Sequence, residues 1–316
     1  MLTDVETFDC RLAFAEELLR LAREDDRVVV VCNDSVGSSN LGAFRQELPD
    51  RLVNVGIAEQ NMVGVAAGLA NGGLLPFVSA AAPFLSGRAT EQIKADVAYS
   101  KAKVVLCGQS PGMAYGELGP THHAIEDLSW MRAISGLTVL VPCDPAQTRA
   151  ALRWAAASPT GSYLRIPRFP VPAVTSDDQT LQTGRAQVLR TGDDVTVIAV
   201  GTLVSRALQA ADELAQVDIS VRVLNMPFVS PLDDEAIVAA AAETGHLVTA
   251  EEGVLSGGLG AGVASVVGRR QPVPMRLLGV PEFAPTGNTE FLLAQYGLDK
   301  DGICRAVREV LGASPD

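Results

Sequence analysis

Short, continuous apolar runs recur along the chain at residues 27–32, 74–79, 103–107, 137–141 and 162–166, with helix-period segments between them. A strand that is apolar at successive positions, rather than at alternate ones, is buried on both faces, as in a parallel sheet covered by helices. The alternation therefore predicts an α/β sheet with helices on both sides. Thr7 is expected to cap a first helix reaching Arg23, with Phe8, Leu12, Ala15, Leu18 and Leu19 as its apolar stripe. Residues 83–102 read as one long helix with Pro83 in its first turn, and Asp144-Pro145 opens another that runs to Ala157.

Pro167, Pro170, Pro172 and the polar residues 175–183 interrupt the pattern and read as a linker. It resumes with a hairpin at 184–192, strands at 195–200, 219–224, 246–250 and 273–278, and helices at 204–216, 233–244 and 257–267. Helical segments at 289–296 and 300–311 end it. A chain of 316 residues is long for one core. Two three-layer α/β domains are expected, residues 1–174 and a smaller second one at 184–316.

The formal net charge of -12 argues against nucleic-acid and anionic-membrane partners. Every apolar run is interrupted before it is long enough to cross a bilayer, and residues 1–6 lack the pattern of a secretory leader. The five cysteines have no metal-ligand spacing and lie mostly in strand-like runs, so they read as reduced core residues of a cytoplasmic protein.

The stretch Asn54-Val55-Gly56-Ile57-Ala58-Glu59-Gln60 delivers one carboxylate to the start of a helix that is apolar on nearly all faces. Glu59 is either an acid complementing the helix dipole or a partnered catalytic group. Asn33 to Asn40 form a polar loop at the carboxyl end of the first buried strand, where α/β sheets place ligands, although a capped surface turn has the same pattern. The longest Gly-rich passage, residues 109–127, carries His122 and His123, two of the three histidines. A loop of that length in a compact domain is usually functional, and adjacent histidines point differently, so one at most acts directly. Gly253 to Gly260 lack the order of a dinucleotide or P-loop fingerprint and read as tight helix packing; no nucleophile elbow is present.

Several segments together resemble the carboxyl-terminal half of a transketolase: Val55-Gly56-Ile57-Ala58-Glu59-Gln60, Gly72-Gly73-Leu74-Leu75-Pro76, Gly116-Glu117-Leu118-Gly119-Pro120-Thr121-His122-His123, Val141-Pro142-Cys143-Asp144, Arg165-Ile166-Pro167-Arg168 and Glu251-Glu252-Gly253 with Gly257-Gly258. The resemblance implies a pyrimidine-binding thiamine-diphosphate fold followed by a transketolase C-terminal-like domain. It also implies the cofactors thiamine diphosphate and Mg²⁺. The Gly-Asp-Gly motif that grips the diphosphate through Mg²⁺ in these enzymes is missing, and Met1 stands too close to the first domain to leave room for it. The expectation is a split transketolase with no metal ligands here, a separate diphosphate-binding subunit, and a heterotetramer of two chains of each type.

By the same resemblance, Glu59 activates the aminopyrimidine through its N1′, with a pKa raised by its small apolar neighbours. His122 assists proton transfer at the substrate, and His123 supports it. Arg165, Arg11 and Ser39 match positions that bind a sugar phosphate, and Asp34 matches an acidic position near the cofactor. Three departures stand out. Leu118 replaces an Asp that meets a substrate hydroxyl. Ala81 stands where an aromatic ring would stack on the pyrimidine, leaving Phe77 or Phe84 as substitutes. Gln109 or Ser110 stands where a phosphate-binding His is expected. The implied activity is transfer of a two-carbon ketol unit from a ketose to an aldehyde, with a small sugar or sugar phosphate as substrate. The alternatives are a 1-deoxyxylulose-5-phosphate synthase-like protein, the beta subunit of a 2-oxo-acid dehydrogenase, and a non-catalytic structural subunit.

Overall fold

The structure, a computed structural model, describes residues 6–312. The reading of the first five residues as leader-free lies outside them. Strands β1 (Thr7–Phe8), β2 (Val28–Cys32), β3 (Leu52–Asn54), β4 (Leu75–Ala81), β5 (Val105–Gln109), β6 (Thr138–Leu140), β7 (Ser162–Ile166) and β8 (Val171–Pro172) lie in the first half of the chain. The second half contains β9 (Gln187–Arg190), β10 (Val195–Ala199), β11 (Val221–Asn225), β12 (Phe228–Ser230), β13 (Leu247–Val254) and β14 (Met275–Val280). They build a seven-stranded sheet in the order β12-β6-β7-β5-β4-β2-β3 and a five-stranded one in the order β14-β13-β10-β11-β9. Each is parallel except at one edge strand, and each carries helices on both faces, as the continuous apolar runs predict.

Alternate residues of each strand serve different cores. In the first sheet, Val30, Phe77, Val105 and Leu164 pack with the helices Cys10–Glu24 and Pro145–Ala157. Val31, Val78, Leu106 and Tyr163 pack on the opposite face with the helix Glu59–Asn71 and its neighbours. That second core runs on without a break to Ile198, Leu224 and Leu247 of the five-stranded sheet, so the two halves share an apolar interior.

Four elements differ from expectation. Asp9, not Thr7, caps the first helix by accepting from the Arg11 amide at 2.9 Å, because Thr7 and Phe8 are taken up in antiparallel pairing with the returning linker. The segment expected to be one helix is Ala82–Arg88, a turn at Thr90–Gln92 and a π-helical stretch Ile93–Tyr99. Ser86 and Thr90 hydroxyls donate back to the Ala82 and Ser86 carbonyls there, a device that bends helices. Instead of a hairpin at 184–192, only β9 forms, antiparallel to the distant β11. Finally, β12 leaves the second half to pair antiparallel with β6, and Phe228 packs edge-on to Trp154 at 5.1 Å.

Candidate active site

The site lies at the carboxyl ends of β2, β3 and β4, where parallel sheets present their loops. β3 ends at Asn54, whose side chain accepts from the Gly56 amide at 3.0 Å and donates to Asp34 at 3.1 Å. Gly56 has φ +74°, a region that favours glycine, and the turn it makes drops Glu59 at the first position of its helix. Glu59 is 3% exposed. Asn33, one residue past β2, donates from Nδ2 to Oε1 at 2.7 Å, and Arg88 donates from Nη1 to Oε2 at 3.0 Å.

These partners overturn the expected pKa of Glu59. Burial pushes it up, but hydrogen bonds from Arg88, its own backbone and Asn33, with the Arg88 charge, outweigh burial and hold the carboxyl below the usual range. In the chain as it stands Glu59 is an ionised carboxylate.

Glu59 opens into a cavity of about 390 Å³ that also contains Asp34, Ala81, Phe84, Leu118 and His122. Phe84, on the helix after β4, lies edge-on to His122 with centroids 5.2 Å apart, and the Arg88 guanidinium sits 4.1 Å above its ring. Phe77 is buried in the core packed on the Cys10–Glu24 helix, and the phenyl and phenol rings that line the cavity are those of Phe84 and Tyr115. His122 Nδ1 stands 3.0 Å from the Thr121 hydroxyl. Tyr115 and Leu118 also line a second cavity of about 510 Å³, with Arg168, Phe169 and Asn288.

The remaining residues singled out in the sequence stand away from the cavity. Arg165 is 3% exposed, and its guanidinium is occupied by Asp127 and by the Glu252 and Ala124 carbonyls. Four of its five N–H donors are engaged in this way, and Arg165 lines neither cavity, so as it stands it ties the loop to the second half of the chain instead of facing a substrate. Arg11 pairs with Asp9 and donates to the Ser38 carbonyl at 3.1 Å, so it supports the polar loop from behind; Ser39 is fully buried there. His123 is 3% exposed, with its pKa pushed down by desolvation toward the neutral imidazole. Gln109 is buried and donates to Ser79 at 3.1 Å, and Ser110 is buried beside it.

Sequence reasoning missed Arg88 and Tyr115, had Asn33 only as the start of the polar loop, and gave Arg168 no role. Arg88 had a signal, since it falls four residues after Phe84 and thus on the same helix face. In the first cavity, a carboxylate, an aromatic face and an imidazole converge on a space that fits a heteroaromatic ring with a polar substrate beyond it.

Comparison with known proteins agrees with this geometry. The model of the transketolase pyrimidine binding domain matches residues 6–173, and that of the transketolase C-terminal domain matches residues 184–303. An apulose-4-phosphate transketolase subunit of Phocaeicola vulgatus is 44% identical over 95% of this chain and 96% of its own. The 6-deoxy-6-sulfo-D-fructose transketolase subunit SqwH of a Clostridium species is 41% identical over 95% of this chain and 94% of its own. A solved structure described as a split gene transketolase, inactive beta4 tetramer, superposes with a TM-score of 0.89 at 38% identity, covering 98% of this chain and 100% of that one. The resemblance read from the sequence is borne out, and the chain belongs to the transketolase family as its pyrimidine-binding and C-terminal domains.

Proposed function

We propose that this chain is the pyrimidine-side subunit of a split transketolase, active with a separate diphosphate-binding subunit, and that it moves a two-carbon ketol unit from a ketose to an aldehyde. The observation that carries this reading is Glu59, a buried carboxylate opening into a cavity faced by Phe84 and His122. The partner holds Mg²⁺ and the diphosphate of thiamine diphosphate, since the Gly-Asp-Gly motif is missing from this sequence. Two chains of each type form the working assembly in the cytoplasm, a compartment in keeping with five buried free thiols.

The residues present fit the pyrimidine half of the cofactor. Asn33 fixes one oxygen of Glu59 and Arg88 holds the other reversibly, its side chain being half exposed. Were Arg88 to give way to the pyrimidine, Glu59 would lose its cationic partner, leaving only the Asn33 and backbone hydrogen bonds against the upward push of burial. Glu59 would then be the group able to share a proton with the ring nitrogen of the bound cofactor. Phe84 offers an apolar face beside it, and His122 stands where a substrate hydroxyl would exchange a proton. Bound thiamine diphosphate supplies the electron sink for carbon-carbon cleavage. Arg168, with no side-chain partner among the described residues except the Tyr115 ring 5.2 Å away, faces the second cavity as the cation for a terminal anionic group. The named relatives act on a phosphorylated and a sulfonated ketose, which favours such a group here.

The test is donor use by the reconstituted complex. Turnover with a phosphorylated or sulfonated ketose, without decarboxylation of pyruvate, is expected, and Arg168→Ala should raise KM for the anionic donor about tenfold or more. Pyruvate decarboxylation without ketol transfer would overturn the reading.

A further inference from the structure

The loop that carries Tyr115, Leu118 and His122 into the cavity belongs to the first half of the sequence, yet the second half holds it in place. Its neck is closed by the Gly112 and Ala124 amides, which donate to each other's carbonyls at 3.0 and 2.7 Å. On one side of the neck the Met113 amide donates to Glu252 Oε1 at 2.6 Å, and Thr202 donates to Oε2 of the same carboxyl at 3.3 Å. On the other side the Val254 amide donates to the Ile125 carbonyl at 2.8 Å. Farther along, the Gly287 amide donates to the Gly116 carbonyl at 3.0 Å and Thr289 to the Met113 carbonyl at 3.3 Å.

Sterics at the glycines point the same way. A Cβ on Gly112 would lie 2.3 Å from the Glu252 carboxyl carbon, and one on Gly116 would lie 2.3 Å from the Gly287 carbonyl oxygen. Gly112 also has φ +64°, so an L side chain there would be strained as well as crowded. Met113 and Ile125 are buried in the core of the five-stranded sheet, with Val248, Ala250 and Leu292.

Glu252 is the pivot of this arrangement. It is 8% exposed, and desolvation pushes its pKa up against the Met113 amide and the Arg165 charge. An apolar side chain of similar size would avoid that desolvation but could not accept from Met113. We propose that Glu252 is a positioning residue for His122: the C-terminal domain clamps the neck of the Gly-rich loop and so fixes the substrate-side imidazole, without taking part in activation at Glu59.

The catalytic arm of this proposal rests on the transketolase reading; the conformational arm does not. Three quantities separate them in the full complex: ketol-transfer kcat, exchange of the thiamine C2 proton, and amide hydrogen exchange across residues 112–124. E252L should lower kcat about tenfold to a hundredfold, since small misplacements of a reacting group are that expensive, while C2 exchange stays within about twofold. Loop amides should exchange faster. E252Q, which keeps an oxygen acceptor for Met113, should recover most of kcat and the loop protection. Equal losses in kcat and C2 exchange would overturn the proposal, as would an unchanged kcat with a loosened loop. If E252L does not fold, Thr289→Val, which removes only the hydroxyl bond to Met113, should show the same pattern at smaller size; no change in loop exchange or kcat there overturns it. If the wild-type complex neither turns over nor exchanges the C2 proton, the transketolase reading falls, and loop exchange in the variants still decides the clamp.

Discussion

Glu59 is held by two partners of different kinds, a neutral amide that fixes its position and a cation that fixes its charge. Asn33 is hidden with it, whereas the Arg88 side chain is half exposed and stacked on Phe84, so only the charged partner can leave without unpacking the core. The depressed pKa of Glu59 means that its pairing stabilises the fold above the ordinary carboxylate range, and that this contribution is lost as pH falls through the lowered value. Arg88→Met should therefore move the Glu59 midpoint upward, read from its side-chain ¹³C carboxyl shift; an unchanged or lower midpoint would refute the role given to Arg88. Glu59, His122, Phe84 and Asp34 were singled out through the family resemblance, and the structure brings all four to one cavity. For Arg88 only the shared helix face with Phe84 was legible, because its contact with Glu59, 29 positions away, depends on how two helices pack against one sheet. The surroundings of Arg165 were hidden for the converse reason: a guanidinium at the end of a strand looks available until Asp127, 38 residues upstream, is seen to engage it.

At the level of elements, the helix Leu259–Arg270 shows why a Gly-rich entry need not be a ligand site. Its Leu259 and Gly260 amides donate to the buried Glu251 carboxyl at 2.7 and 2.8 Å, so the protein's own side chain satisfies the helix start. Gly258 is required by proximity, since a Cβ there would lie 2.0 Å from Glu251 Oε2. Gly258→Ala should destabilise the chain by about 1–3 kcal/mol, measured by the denaturant midpoint at constant m-value, and no shift would contradict the packing described. The sequence reading of this stretch as tight helix packing anticipated the outcome. β12 was invisible in the sequence because three residues between Pro227 and Pro231 have no periodicity, and their pairing is decided by β6 in the other half of the chain. The break in the helix after Arg88 was equally hidden, since hydroxyl bonds back to the helix carbonyls act against a pattern that otherwise reads as continuous.

For the whole molecule, the two sheets share one apolar interior, the second half lends β12 to the first sheet and clamps one loop, and the cavity beside Glu59 is lined by residues of the first half. Ile57 on its rim is 78% exposed and Leu118 is 55% exposed, a large apolar exposure beside a buried acid. On the proposed reading this is half a cleft, with the diphosphate grip on another polypeptide, and the related split gene transketolase is described as inactive in its beta4 tetramer. Exchange of the thiamine C2 proton tests that reading most directly, because it depends on Glu59 before any sugar is bound. The complex of this chain with its diphosphate-binding partner, Mg²⁺ and thiamine diphosphate should exchange the proton rapidly. The chain alone should not, and the Glu59→Gln complex should be slower by about a hundredfold or more. Exchange by the Glu59→Gln complex at the wild-type rate, or by the isolated chain as fast as by the complex, would contradict the account.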